Sequence, residues 1–415
     1  MMEVKMMKKL SIGALLVALA VTMAGPAQAA FTVGGENGWS LSTDGIVNIF
    51  AAYQTQNGSN DAQGVLGANA EQKFGVRVGL LPSIIALNVK APTTAGIDST
   101  VRVAFYPNVQ NTSSTRFNTS PNIDNREFFY TASGSFGSFL AGRALNLFQG
   151  QNILNDMCLF TAGVVDMTAV PGGTSLGHIG YGYLYTNFGP QFRYTTPDIA
   201  GFKAALEIGE PYAITPESAK QDIPRFEAEL SYAKTLSNGS IHAWLEGLWQ
   251  EDTRSNTAAF RPGGHNQSLG VAPGINVAIG PLGLMGSGYY GAGLGMISAQ
   301  DGSLGLALGD GLTSEDQFGN QRTNWGYLAG ATFQVAPAVR LGVNYGECRS
   351  NKTDAETGGL GLGNMKSHEA LVGQVNYNLN KFTQFTLEYI WAQNVLQGGD
   401  KMRSNQFALG TVFFW

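Results

Sequence analysis

The sequence predicts an all-β fold, a transmembrane antiparallel β-barrel, and three observations support this. Apolar and polar residues alternate with period two from Trp39 to Trp415, in stretches of about ten residues, the length that a tilted strand needs to cross a bilayer. Connections alternate between tight turns and long polar loops, as in membrane barrels. The chain has 55 glycines and only 13% charged residues, and after Gly25 no apolar run approaches the ~20 residues of a spanning helix.

The N-terminal residues 1–29 are predicted to be a cleaved secretory signal peptide. Lys5, Lys8 and Lys9 form a basic start, a short apolar stretch follows, and Ala27-Gln28-Ala29 provides the small residues that a signal peptidase recognises. We therefore expect export through the periplasm to the outer membrane of a Gram-negative cell. Residues 30–415 are expected to form one barrel domain.

The charge balance argues against a nucleic acid partner. Residues 1–29 contain three Lys and one Glu, so removing them from 25 basic and 30 acidic residues leaves 22 and 29, a net charge of −7. Nucleic-acid-binding surfaces are basic, whereas this chain is acidic.

The individual strands follow from the alternation. The first runs from Trp39 to Tyr53 with apolar residues at odd positions, and Ile46 and Phe50 are exceptions on the polar face. Later strands carry arginines on the polar face, such as Arg77 beside Val76 and Val78. The count is sixteen if residues 178–196 form one long strand bent at Gly189-Pro190, and a closed bacterial barrel needs an even number.

The turns and loops complete the barrel pattern. Tight turns are expected at 189–190, 237–239, 280–281 and 336–337, and long polar loops at 55–70, 107–124, 251–266, 298–322 and 350–365. A soluble β-sandwich gives similar alternation. Aromatic residues at the strand ends favour the membrane barrel, because they form girdles at the two membrane interfaces.

Four segments resemble the general bacterial porin family. The segment from Gly134 to Arg143 is similar to the family's turn and fifth strand, which end in Gly-Arg. Arg193-Tyr194-Thr195-Thr196-Pro197 followed by Gly201-Phe202 resembles a second family segment, and Tyr377 to Thr383 followed by Glu388-Tyr389 resembles a hairpin. The end of the chain resembles the family's assembly signal, which consists of alternate hydrophobic residues and a terminal aromatic: Phe407, Leu409, Phe413 and Trp415.

This resemblance implies a sixteen-stranded homotrimeric channel for passive diffusion of small hydrophilic solutes, with no reaction and no cofactor. It also implies that the third loop, residues 144–174, folds inward and narrows the pore. The implied partners are outer-membrane lipid, lipopolysaccharide and the barrel-assembly machinery. Asp310, Asp316, Asp354 and Glu356 in outer loops could bind divalent cations that bridge lipopolysaccharide, although a solvated loop face is the favoured interpretation.

The pore constriction is expected to carry arginines on the wall and carboxylates on the loop. Alternation places Arg77, Arg102 and Arg193 inward. Arg143 is inward by resemblance alone, and it needs a bulge at Gly142 because its parity follows the apolar face. Asp156 and Asp166 would oppose them from the loop.

Charges of both signs across a narrow gap would orient polar solutes, and the arginines predict a weak anion preference. Glu227 and Glu229 also face inward, but they are expected to lie away from the constriction. Scattered lumen charges, screened within about 8–10 Å, are the alternative.

Other functions have weaker support. Gly173-Thr174-Ser175-Leu176-Gly177 beside His178 matches a hydrolase motif, and Gly286 to Gly291 matches a dinucleotide motif, but neither has the required strand–helix context. A lipase-like barrel enzyme and a plugged adhesin or structural barrel remain the alternatives. The four histidines, His178, His242, His265 and His368, show no metal-ligand spacing, so no metal site is predicted. Cys158 and Cys348 are either inert thiols or one disulfide.

Overall fold

The structure, a computed structural model, describes residues 31–58, 72–111, 122–165, 174–295 and 314–415, and its strands form one antiparallel sheet. The predicted signal peptide and Asp166 lie outside these residues. The described elements are nineteen strands and one helix: β1 (Phe31–Gly34), β2 (Ser40–Gly58), β3 (Gln72–Val78), β4 (Ile84–Lys90), β5 (Asp98–Pro107), β6 (Ile123–Gly134), β7 (Gly137–Leu145), α1 (Gly150–Asn155), β8 (Phe188–Thr195), β9 (Phe202–Gly209), β10 (Ser218–Lys220), β11 (Arg225–Leu236), β12 (Gly239–Arg254), β13 (His265–Ile279), β14 (Leu282–Ala292), β15 (Thr323–Ala336), β16 (Val339–Ser350), β17 (Met365–Asn378), β18 (Thr383–Leu396) and β19 (Lys401–Phe414).

The sheet closes on itself because β19 pairs with β2, from Met402 opposite Gly58 to Phe414 opposite Ile46. Both β3 and β4 pair with β2 and together occupy one position in the ring. The short β1 and β10 add to the ends of β2 and β12. The remaining strands pair in chain order, which confirms the predicted sixteen-stranded antiparallel barrel.

The distribution of polar and apolar residues is that of a membrane barrel and not of a soluble sandwich. On β18 and β19, Leu387 and Leu409 expose 52% and 59% of their surface outward, whereas Glu388 and Gln406 are fully buried inside. Polar residues buried and large apolar residues exposed are the opposite of a soluble core. The outer face therefore suits lipid and the inner face suits a polar lumen.

No helix in the described ranges is both long and apolar enough to span a membrane.

The two exceptions in the alternation of the first strand have a structural reason. Ile46 and Phe50 face inward, and both are buried. The ring of Phe50 lies over Gly410 of the neighbouring strand, where an added Cβ would come within 2.2 Å of the ring. Phe50 then packs against residues of the loop inside the barrel. These apolar inward positions therefore mark where the loop packs against the wall.

The segment 178–196 differs from the prediction. The strand covers only Phe188–Thr195, and Gly189 and Pro190 lie within it instead of forming a turn. Residues 178–187 belong to the loop inside the barrel, where they are almost all buried. The alternating Gly and Tyr residues in this stretch pack inside the lumen. An alternating sequence pattern with a period of two residues therefore occurs here without forming a strand.

The C-terminal residue completes the seam between the first and last barrel strands. The Gly45 N–H donates to the Trp415 carbonyl (3.1 Å) and the Trp415 N–H donates to the Gly45 carbonyl (3.2 Å). The indole ring covers Gly45, and Phe413 stacks on it at 6.4 Å between ring centroids. Phe407, Leu409 and Phe413 point outward and are exposed. Side chains that serve as an assembly signal must be accessible to the machinery that recognises them.

Because closure pairs the strand edges, unfolding must break the ring as a whole. We predict that detergent-extracted protein migrates differently on a gel before and after boiling. A single band at the monomer mass in both samples would contradict the closed barrel.

Deleting Trp415 removes two backbone hydrogen bonds of the seam and the terminal aromatic ring. We predict a several-fold drop in the amount of protein in the outer membrane, measured by fractionation. Deleting Gly359, in the outer loop between β16 and β17, is the matched control and should have little effect. Equal membrane levels of both variants would show that the terminal residue is not part of the assembly signal.

Candidate functional site: the lumen and its inward loop

The connection between β7 and β8, residues 146–187, folds into the barrel. Its described parts, 146–165 and 174–187, are almost entirely buried, and they include the short helix α1. The inward-folded third loop is thereby confirmed. It is longer than the predicted 144–174, because it continues to the start of β8.

Carboxylates on one side of the wall hold the beginning of this loop. Glu246 of β12 accepts hydrogen bonds from the backbone N–H groups of Gln149 (2.8 Å) and Gln151 (2.7 Å). Glu227 of β11 accepts one from the N–H of Phe148 (2.7 Å). Buried backbone donors need such acceptors, above all at the start of a helix.

Glu229 also contacts the loop, since it accepts a hydrogen bond from the Gln151 side chain (3.0 Å). Glu227 and Glu229, which were expected to lie away from the constriction, therefore both contact the inward loop. Both face inward as expected, but they lie where the loop meets the wall.

The opposite side of the wall holds the middle of the loop. Glu388 of β18 accepts hydrogen bonds from the Thr161 hydroxyl (2.7 Å) and the Ala162 N–H (2.8 Å). The Gln406 side chain of β19 accepts from the Val165 N–H (2.8 Å) and donates to its carbonyl (3.0 Å). The loop therefore spans the lumen and is fixed at both sides.

A cavity of about 290 Å³ remains between the loop and the wall from β2 to β12. Apolar residues such as Phe160 and Leu140 form part of its lining. The charged residues and the histidine that line it are Asp44, Arg102, Glu127, Arg193, Asp198, Lys203, Glu229 and His242.

Arg102 faces this cavity but its charge is neutralised. The guanidinium lies 2.8 Å from Asp44 and 2.9 Å from Glu127, and all three side chains are mostly buried. Two carboxylates around one arginine leave a local net charge of −1. Arg102 is thus inward, as alternation predicts, without being an unopposed positive charge.

Arg193 is inward and paired as well. It lies 3.0 Å from Glu207, which also contacts Arg225 at 3.3 Å. Arg225 in turn lies 2.9 Å from Glu227. This buried chain alternates in sign and carries no net charge, since two arginines meet two glutamates.

Arg143 lies outside the lumen, contrary to what the resemblance implies. It is exposed and stands opposite the exposed Phe128 and Pro190 on the outward face. Gly142 has a positive φ of 135°, yet the strand pairing passes through it without a register shift. The alternation of side-chain directions therefore continues through Arg143 and places it outward. The bulge that an inward Arg143 would need is absent from the pairing of β6 with β7.

The remaining predicted constriction residues do not line the cavity. Arg77 stands opposite Phe50 on the inward face, but its guanidinium turns back to the Val76 carbonyl (2.9 Å). Asp156 is buried within the loop, where it accepts hydrogen bonds from the Cys158 N–H (2.9 Å) and the Tyr183 hydroxyl (2.8 Å). The structure does not bring Asp156 opposite the wall arginines.

Sequence reasoning missed two basic residues near the lumen. Lys203 lines the cavity from β9, and among the described residues no carboxylate lies within ion-pair distance of it. Its inward position follows from the alternation after Phe202. Arg126 was hidden by a bulge in β6, which turns its guanidinium inward over the ring of Tyr106 at 5.2 Å.

Two of the outer-loop acids, Asp316 and Glu356, are bonded within the protein instead of solvated. Glu356 is buried and binds Arg322 through two contacts of 2.6 Å. Burial alone would raise the pKa of Asp316, but hydrogen bonds from Thr353 and Asn320 hold that pKa below its ordinary value. Asp354 is exposed, and Asp310 lies outside the described residues.

The other sequence motifs have structural explanations. Ser175 is buried in the inward loop, not on a strand-to-helix turn, and residues 286–291 lie within β14. Cys158 and Cys348 are buried free thiols.

A closed membrane barrel with an inward loop, and with a cavity of apolar and charged lining residues beside that loop, defines the class of outer-membrane channels. The family model for the Gram-negative porin matches residues 14–406, so this chain belongs to that family. No individually curated protein matches the chain.

Solved porin structures share the fold. The outer membrane channel DcaP of Acinetobacter baumannii has a TM-score of 0.66 at 16% identity, covering 93% of this chain and 100% of that one. The anion-selective porin from Comamonas acidovorans has a TM-score of 0.61 at 13% identity, covering 91% and 100%. OmpT of Vibrio cholerae in its trimer form has a TM-score of 0.52 at 14% identity, covering 91% and 100%.

The hydrogen bonds between the wall and the inward loop lead to a prediction about single-channel conductance. Replacing Glu388 by Ala leaves buried N–H and hydroxyl donors of the loop unpaired, at a cost of about 1–3 kcal/mol each. We predict a larger and noisier single-channel conductance in planar bilayers, because the loop loses its hold on the wall. Glu251→Ala, on the outward face of β12, is the control and should leave conductance unchanged. Identical recordings from both variants would show that Glu388 does not hold the loop in place.

Proposed function

We propose that this protein lets small hydrophilic solutes diffuse passively through the lumen, without a reaction or a cofactor. The observation that carries this proposal is the cavity of about 290 Å³ beside the inward loop, with charged side chains in its lining. A space of this size is at the lower end of small-molecule sites. It suits small solutes.

The barrel and the family place the protein in the outer membrane. We further propose that residues 1–29 are removed during export and that residues 30–415 form the mature barrel. Outer-membrane lipid, lipopolysaccharide and the barrel-assembly machinery are the proposed partners. A homotrimer is supported by the trimer form of the similar Vibrio cholerae OmpT, and an unboiled gel band at trimer mass tests it.

Ion preference is the finer part of the proposal. The expected anion preference depended on unopposed arginines, but Arg102 and Arg193 are both ion-paired. Lys203 is the remaining basic residue of the described cavity lining without an ion pair. Asp44, Glu127, Asp198 and Glu229 line the same space beside Arg102, Arg193 and Lys203, so any anion preference must be weak. The anion selectivity named for the Comamonas acidovorans porin is further support.

Planar-bilayer recording tests both parts of the proposal. We predict clear single-channel conductance and a small reversal potential of anion-selective sign in a salt gradient. Lys203→Ala should move the reversal potential toward cation preference, because it removes an inward positive charge that water and salt reach. Arg143→Ala is the matched control. It removes a positive charge from the outward face and should leave the reversal potential unchanged.

The alternatives give different recordings. An absence of conductance from folded protein would favour a structural barrel with a plugged lumen. A clearly cation-selective wild type that Lys203→Ala does not move would overturn the proposed ion preference. A shift with Arg143→Ala would show that the lumen includes that residue after all.

A further inference from the structure

Three potential metal ligands meet inside the inward loop. Asp156, Cys158 and His178 are all buried, and their possible ligand atoms lie within 4.8 Å of one another. The His178 Nδ1 is 3.5 Å from an Asp156 oxygen. Carboxylate, thiolate and imidazole are the three side-chain groups that bind zinc in proteins.

A fourth group comes from the barrel wall. The Asn344 side chain of β16 places its amide nitrogen 3.2 Å from Asp156 Oδ1, 3.4 Å from His178 Nδ1 and 3.7 Å from Cys158 Sγ. Nitrogen and oxygen of an amide are assigned from their hydrogen bonds, and a half-turn exchanges them. Asn344 Oδ1 has no hydrogen-bond partner in the described part of the chain. The half-turn gives up the three contacts of the amide nitrogen and points the oxygen at the same three groups, as an ion bound among them requires.

The distances fit a tetrahedral ion. Zinc bonds of 2.0–2.3 Å imply about 3.3–3.7 Å between neighbouring ligand atoms. The four separations given above run from 3.2 to 3.7 Å, with Asp156 contributing Oδ1 to one of them and Oδ2 to another. The other two separations, from Cys158 Sγ to Asp156 and to His178, lie within 4.8 Å.

The charge of the site also calls for a cation. Among the described residues, Asp156 has no lysine or arginine within ion-pair distance, and His178 is its one basic neighbour. Glu388 holds the adjacent Thr161 and Ala162, which adds a second buried carboxylate nearby. Buried charges are normally paired or bound to a metal, and in the described ranges His178 alone is the ion-pair partner of Asp156.

We propose that Asp156, Cys158, His178 and Asn344 bind one zinc ion, which fastens the inward loop to β16. Binding forms a zinc–sulfur bond and releases the thiol proton of Cys158 to solvent, with no change of oxidation state. Four protein ligands leave no open position, so the ion is structural. A small cavity of about 20 Å³, bordered by Met157 and Asn344, adjoins the site.

Metal content tests the site directly. Full-length protein is refolded into detergent with Zn²⁺ and then freed of excess metal. Its heat-dependent gel shift shows that the barrel has folded, and mass spectrometry measures the bound zinc. We expect one zinc ion per chain. Co²⁺ in place of Zn²⁺ should give a near-ultraviolet sulfur-to-cobalt charge-transfer band, which requires a bound thiolate.

Matched variants identify the ligands. Cys158→Ser should abolish the cobalt band, and His178→Asn should weaken zinc binding at least about tenfold. Cys348→Ser is the control: that thiol is also buried but accepts from the Gly182 N–H (3.2 Å), and this variant should keep the band. Wild-type protein that refolds without retaining zinc or cobalt would overturn the proposal, whether or not the variants fold. A band that survives Cys158→Ser, or that Cys348→Ser removes, would also overturn it.

Discussion

Pairing of backbone groups in lipid is the constraint on which this structure depends. Hydrocarbon offers no hydrogen bonds, so each N–H and carbonyl of a strand must find a partner in another strand. The seam between β2 and β19 meets this requirement, and Trp415 extends it to the last residue. Once the ring is closed, one face of every strand meets lipid and the other meets the lumen. The exposed Leu409 beside the buried Gln406 is the direct result.

The same constraint acts a second time inside the barrel. A loop that enters the lumen carries backbone donors away from bulk water, and each needs an acceptor. Glu227, Glu246 and Glu388 provide acceptors from the wall. These three glutamates therefore hold the loop. Arg102, Arg193 and Arg225 of the wall are neutralised by nearby carboxylates, so these three arginines add little to the charge that a solute meets.

The alternation in the sequence was sufficient for most of the fold because side-chain direction in a strand has a period of exactly two residues. It placed Arg102 and Arg193 inward and, on its own, placed Arg143 outward; the resemblance to a family motif pointed the other way and was wrong at that residue. Alternation failed at residues 178–187, where Gly and Tyr residues pack inside the loop. It also failed at Arg126, because a bulge changes the parity of a strand locally.

The site could be predicted less well than the fold because its contacts join distant parts of the chain. Arg102 is neutralised by Asp44, which is 58 residues earlier, and no local pattern shows that pairing. The histidines likewise showed no metal-ligand spacing, although the folded loop brings His178 to Asp156 and Cys158. The wall contact through Asn344 is farther still in sequence, at 188 residues from Asp156. Glu246, Glu388 and Asn344 thus hold the loop at three separate places on the wall. A loop fixed in this way forms a defined boundary of the cavity beside it.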